Sequence, residues 1–136
     1  MSPAITLALR KLVTERAGGR CEYCLIHQDV SPYTHETDHI IAYKHGGQTI
    51  SDNLALACLP CNRHKGSDLT SFDPSNGKIA PLFNPRAQSW NNHFALQDNR
   101  IIGLTPAGRT SVTLLAMNAP ERLVERQVLI AQNLYP

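Results

Sequence analysis

The sequence predicts a small α+β fold, and three observations carry that prediction. Two Cys-x-x-Cys pairs, Cys21/Cys24 and Cys58/Cys61, bracket one stretch of the chain. Within and just after that stretch the pattern runs strand, glycine loop, strand, helix. The whole chain has 136 residues, 42% of them apolar and only 18% charged, enough for one modest core. A single domain over 1–136 follows from the length. A core this small gains from a metal staple.

The elements can be justified in order. Ser2 and Pro3 suit the start of a first helix, as cap and first-turn proline. Ile5, Leu9, Leu12 and Val13 share one of its faces. Gly18-Gly19 ends it by accepting positive φ.

Cys21-Glu22-Tyr23-Cys24 follows at once, and Cys58-Leu59-Pro60-Cys61 repeats the spacing. Two thiolates so spaced form a knuckle that points both sulfurs at one ion. Four thiolates around Zn²⁺ would make a closed tetrahedral site with no position for water, hence a structural one. The gap between the halves exceeds that of a zinc ribbon, and the chemistry-bearing stretch is folded into it. Two unrelated buried pairs, or a redox dithiol, are the other readings. The redox one lacks a βαβ pattern around either pair.

Residues 25–36 read as a loop, with His27 and His35 as surface or packing residues. Glu36 to Ala42 reads as a strand through β-branched Thr37, Ile40 and Ile41. Gly46-Gly47 marks the loop, and Leu54 to Ala57 the second strand. Pro60 suits the first turn of a helix that carries Asn62, Arg63, His64 and Lys65 and stops at Gly66.

In this order Asp38 lies on the first strand and Asn62 near the start of the helix packed on it. A carboxylate plus an amide oxygen is a half-site of hard donors, suited to Mg²⁺ or Mn²⁺ with water and phosphate completing the shell. A neutral His39 beside that ion can take a proton from an attacking water. Arg63 and Lys65 flank Asn62 and, with Arg86, are candidate phosphate contacts.

Asp38-His39-Ile40-Ile41, Gly46-Gly47, Asn53-Leu54 and Cys58-x-x-Cys61-Asn62 arrive in one sequence. This succession, over about 21–66, resembles the HNH endonuclease family in an H-N-N form. The resemblance implies a ββα-metal (His-Me finger) core, zinc-stapled here, with flanking helices and a small hairpin. It implies that His39 is the general base and that Asp38 and Asn62 hold the catalytic metal. Asn53 would brace the loop that carries His39. The position one turn beyond Asn62 is Gly66, where some members have a second metal-binding His. Water and phosphate must then supply the remaining ligands.

The segment 67–136 is expected to wrap this core. Ser67 to Ile79 reads as a polar linker turning at 73–77. Asn84-Pro85 reads as the start of a short helix through Trp90 and His93. Phe94–Leu96 and Arg100–Leu104 read as a hairpin, then helices run from Pro106 to about Met117 and from Pro120 to about Ala131. The last has apolar Leu123, Val124, Val128 and Leu129 and basic Arg122 and Arg126. The segment also resembles the tail of a group of small bacterial HNH proteins, and Arg86, His93 and Arg109 are further candidates for phosphate contact in it.

The functional expectation is a metal-dependent endonuclease acting on nucleic acid, DNA in the first place. A net charge of +2 neither demands nor excludes that partner. A catalytically silent nucleic-acid-binding zinc module is the alternative, and a zinc domain recruiting a protein is another. Binding alone would need neither Asp38, His39 nor Asn62. Phosphate contact predicts affinity that falls steeply with salt. One active site cuts one strand, which leaves room for a homodimer. No membrane span and no secretory leader are expected, which makes the chain cytoplasmic.

Overall fold

A computed structural model describes residues 4–136, and three two-stranded antiparallel sheets organise it. Helix α1 spans Leu7–Arg16. The Thr6 side chain caps it by accepting from the Leu9 N–H, so the helix begins later than Ser2-Pro3, which lie outside the described residues. Val13 is its buried residue, packed with Ile5, Leu9 and Ala17 against Leu54 and Leu56, while Leu12 faces solvent.

Strand β1 (Glu36–His39) pairs with β2 (Leu54–Ala57), with Asp38 opposite Ala55 and His39 opposite Leu54. β1 stops three residues short of Ala42 because the chain bends outward after His39 into a short turn of helix at Tyr43–His45. All four residues of β2 are buried. Its far edge is satisfied without a third strand. The Glu22 N–H donates to the Leu56 carbonyl (2.8 Å) and the Glu22 carboxylate accepts from the Leu56 N–H (2.8 Å). Arg16 and Arg86 both donate to the Leu54 carbonyl. Helix α2 (Leu59–Lys65) follows from Cys58 and ends at Gly66, whose φ is +50°.

The expected linker after α2 is itself a hairpin: β3 (Thr70–Phe72) pairs with β4 (Ile79–Pro81). The turn at 73–77 is as read, but three-residue strands are too short to show an alternation in sequence. Asp73 anchors that turn. Arg109 donates to both of its carboxylate oxygens (3.0 and 2.9 Å), and the Ser75 N–H and hydroxyl add two bonds of 2.9 Å. Arg109 is thereby occupied, which corrects its candidacy as a phosphate contact. These donors, the Arg109 guanidinium first, hold the Asp73 carboxyl well below the usual carboxylate range. A depressed folded value gives stability that is full above the unfolded pKa, about 3.9, and is lost as pH falls below it. Asp73→Asn is therefore expected to flatten the acid side of a plot of Tm against pH below about pH 4, which thermal melts across that range would show.

Residues 84–88 form only a turn, opened by the Asn84 side chain, which accepts from the N–H groups of Arg86 and Ala87. The helix there, α3, is only Trp90–His93. Strands β5 (Phe94–Gln97) and β6 (Arg100–Gly103) form the expected hairpin. Helix α4 spans Pro106–Leu114 under a Thr105 cap, and α5 spans Pro120–Ala131. α5 presents its arginines inward: Arg122, Arg126 and Leu129 are buried, whereas Val124 and Val128 are exposed. Arg126 donates to the carbonyls of Asn99 (2.7 Å) and Met117 (2.6 Å).

The main buried cluster joins Cys21, Tyr23, Cys24, Ile26, Cys58 and Cys61 to Phe83, Phe94, Ile101, Leu115, Met117 and Tyr135. The Trp90 indole N–H donates to the Tyr23 carbonyl (2.8 Å) and the Tyr135 hydroxyl to the Cys24 carbonyl (2.6 Å). The segment beyond 67 thus packs on the cysteine unit. No described helix is long and apolar enough to cross a membrane.

Candidate active site

The staple comes first, because it fixes where β2 and α2 begin. Cys21, Cys24, Cys58 and Cys61 are buried, and their sulfurs all lie within 4.8 Å of one another. Four converging sulfurs of this kind fit a structural zinc ion and leave no coordination position for chemistry. A fifth residue joins them. Arg122, reaching in from α5, points its guanidinium at three sulfurs: Cys24 at 3.0 Å, Cys58 at 3.6 Å and Cys61 at 4.0 Å. Burial alone would pull that guanidinium down, but the negative sulfurs of Cys24, Cys58 and Cys61 outweigh it and hold it above its ordinary value. The Cys24 thiol is drawn well down, first by hydrogen bonding with the other three cysteines and then by Arg122.

The chemistry-bearing residues lie one strand away. On β1, Asp38 turns inward and is buried, while His39 is half-buried on the other side, as alternation requires. The His39 Nε2 lies 2.9 Å from the Thr49 hydroxyl. Asn53 then locks the bend after His39. Its Oδ1 accepts from the Ile41 N–H (2.9 Å), and its Nδ2 donates to the carbonyls of Ile41 (2.9 Å) and Gln48 (2.8 Å). Gly47 completes that clasp, since a β-carbon there would collide with the Ile41 carbonyl. One side-chain amide therefore joins the two ends of the loop between His39 and Thr49.

Helix α2 is docked on β1 by Lys65. Its Nζ lies 3.0 Å from the Asp38 Oδ2 and donates to the His39 carbonyl at 3.0 Å. Lys65 is only 3% exposed, which removes it from the candidate phosphate contacts. Arg86 is likewise engaged, with the Glu22 carboxylate and the Leu54 carbonyl. Arg63 remains exposed. Asn62, half-buried, sits three residues before Lys65 and so shares its helix face, toward β1. Burial pushes the Asp38 carboxyl up, and Lys65, His39 and Tyr23 pull it back only in part. Its Oδ2 lies 3.0 Å from the Lys65 ammonium in a buried ion pair. A carboxylate on the strand and an amide oxygen on the helix docked against it are hard donors, a set that fits a divalent cation keeping its own waters.

Two of these residues carried no signal of their own in the sequence. Thr49 is one hydroxyl in a polar loop, and Arg122 lies 61 residues beyond Cys61.

Residues 21–68 match the HNH endonuclease family. The matched segment contains all four cysteines, the β1–β2 pair and α2. The chain is also similar to a Septu protein, PtuB, from Bacillus thuringiensis, at 28% identity over 130 residues. That alignment takes in 94% of this chain and 46% of the relative, so the chain spans about half the relative's length. No solved structure matches the chain.

Proposed function

We propose that the HNH unit is a divalent-metal-dependent endonuclease that hydrolyses phosphodiester bonds, with DNA as its principal substrate. The reading is supported by Asp38 and His39 as successive residues of a strand that Asn53 braces, with Asn62 one turn before Lys65, the residue that docks α2 on that strand. His39 is the base. In the tautomer that carries its proton on Nε2, with the Thr49 hydroxyl 2.9 Å away to accept it, the lone pair lies on Nδ1. From there Nδ1 takes a proton from a water lined up on the phosphorus. Asn53 keeps the imidazole in place through the bend it clasps. Asp38 and Asn62 would hold Mg²⁺ or Mn²⁺, which when bound stabilises charge on the phosphate and the leaving oxygen. Lys65 acts through Asp38, keeping a buried carboxyl ionised and oriented. Arg63 is the exposed cation left to meet the backbone of the substrate.

The test is cleavage of supercoiled plasmid by the zinc-loaded protein with added Mg²⁺ or Mn²⁺, beside His39→Ala. The variant is expected to keep its Tm and lose about 10²–10⁴-fold in rate. Equal rates would remove His39 from the mechanism. If neither protein cuts plasmid, single-stranded DNA or RNA, while binding persists and weakens with salt, the unit is a silent nucleic-acid-binding module.

A further inference from the structure

A cleft of about 370 Å³ opens where the catalytic strand ends. Ile40 and Ile41, the two residues after His39, form one wall, and Lys65 forms another. Leu82 and Phe83 are its buried apolar floor. Ile41 and Leu69 stand at its rim, 41% and 38% exposed. The cleft falls within the roughly 300–1,000 Å³ range of small-ligand sites, and its walls suit a flat, apolar-faced group.

The polar groups narrow the choice. Asn84 and Gln88 both line the cleft, and both spend their side-chain oxygens on backbone. The Asn84 Oδ1 accepts from the Arg86 and Ala87 N–H groups at 2.9 and 3.3 Å, and the Gln88 Oε1 from the Asn84 N–H at 2.9 Å. Both amide NH₂ groups are thereby left without partners among the described residues. The site therefore offers two donors to a ligand that presents carbonyl or ring-nitrogen acceptors on its edge. Asp68, also lining the cleft, offers an acceptor. Flat apolar faces with acceptors around the edge describe a nucleobase, and Lys65 ties this cleft to Asp38 and His39.

We propose that this cleft receives one unstacked nucleobase of the strand being cut, beside the phosphate at Asp38 and His39; the proposal rests on the nuclease reading above. A base in a duplex must leave its stack to enter, and the cost is least where it is already unpaired. The chain should accordingly favour strands with unpaired bases at the point of cleavage. In the cleft the base would lie between apolar side chains with its edge read by hydrogen bonds.

The test uses the zinc-loaded full chain and one labelled DNA strand, presented fully paired, in an unpaired bubble, and alone. Cutting of the bubble and the free strand at least about 10-fold faster than the duplex is expected, following the unpairing free energy. Ala87→Trp puts an indole at the exposed side of the cleft, away from Asp38, His39 and Asn62, and should abolish that preference. Gln88→Glu keeps the oxygen that accepts from Asn84 while removing the amide donor, and should reduce the preference even if the indole variant does not fold. A second readout needs no cleavage: the fluorescence of 2-aminopurine in a single strand should change on binding the wild type and far less with either variant. Preference and fluorescence response unaltered in both variants would overturn the cleft's role and leave the nuclease standing. Absent cleavage of every substrate would sink the nuclease reading, and a fluorescence response that ignores both substitutions would then also overturn the cleft.

Discussion

Stripping metal from the four-cysteine site is expected to unfold the chain, and Cys58→Ser is expected to do the same. The magnitudes decide this. Binding at a structural zinc site contributes about 10–16 kcal/mol in small zinc units, against a net folding stability of about 5–15 kcal/mol for a domain. Here the cysteines are not appended to a core that exists without them. They lie inside the main buried cluster, beside Phe94, Leu115 and Met117. A zinc ion with four thiolates carries two net negative charges, and Arg122, 5% exposed, is the buried cation that offsets one of them. Losing the ion lets Cys21 and Cys61 hold their protons and leaves Arg122 with only the Cys24 sulfur and Glu125 as counter-charges, so α5 should loosen as the metal leaves. Far-UV circular dichroism during chelation, with colorimetric counting of released zinc, follows both events. One zinc per chain should leave as the helical signal falls. Release of zinc with an unchanged melting curve would mean that the cysteines pack well without it, and the staple would be wrong.

The same residues show what a sequence can disclose. The cysteine pairs, Asp38-His39, Gly46-Gly47 and Asn53 are local patterns, each within a few residues of its partners, and their spacing points to a knuckle, a strand and a loop. β2 and the end of α2 at Gly66 are where the pattern puts them. What stayed hidden depends on distant chain segments. Nothing near Lys65 says that its ammonium is spent on Asp38, 27 positions earlier, so it reads as a basic residue beside a phosphate site. In the sequence Arg122 and Arg126 are simply the basic residues of the last helix. They are buried because sulfurs, carbonyls and Asn118 await them, while Val124 and Val128 face out. Propensity and periodicity describe a helix on its own; which side is covered depends on the charges it meets. The β3–β4 hairpin was missed for a different reason: three residues per strand leave no period to count.

Lys65→Met is expected to weaken the fold and the site together, in a way that pH can separate. Removing one partner of a buried ion pair costs about 3–5 kcal/mol, because the other charge is left in an apolar setting. Asp38 would answer by holding its proton. Its folded pKa already lies above the ordinary value through burial, and Lys65 is the main group pulling it down. Without Lys65 it rises further. An acid raised in the folded state gives up stability as pH climbs from the unfolded pKa, about 3.9, toward the folded one. The variant should therefore melt nearly like the wild type in acid and fall behind as pH rises. In the proposed mechanism Asp38 must be ionised, so the acid limb of the pH–rate profile should move up, a shift that a merely structural role for Lys65 would not produce. Lys65→Arg keeps the charge and should restore most of that limb. The double variant Asp38→Leu/Lys65→Met removes both charges, and such exchanges are often neutral for stability. It should regain much of the lost Tm and none of the cleavage. If Lys65→Met cuts with an unshifted profile, Asp38 does not depend on Lys65 for its charge, and the pair serves only to dock α2 on β1.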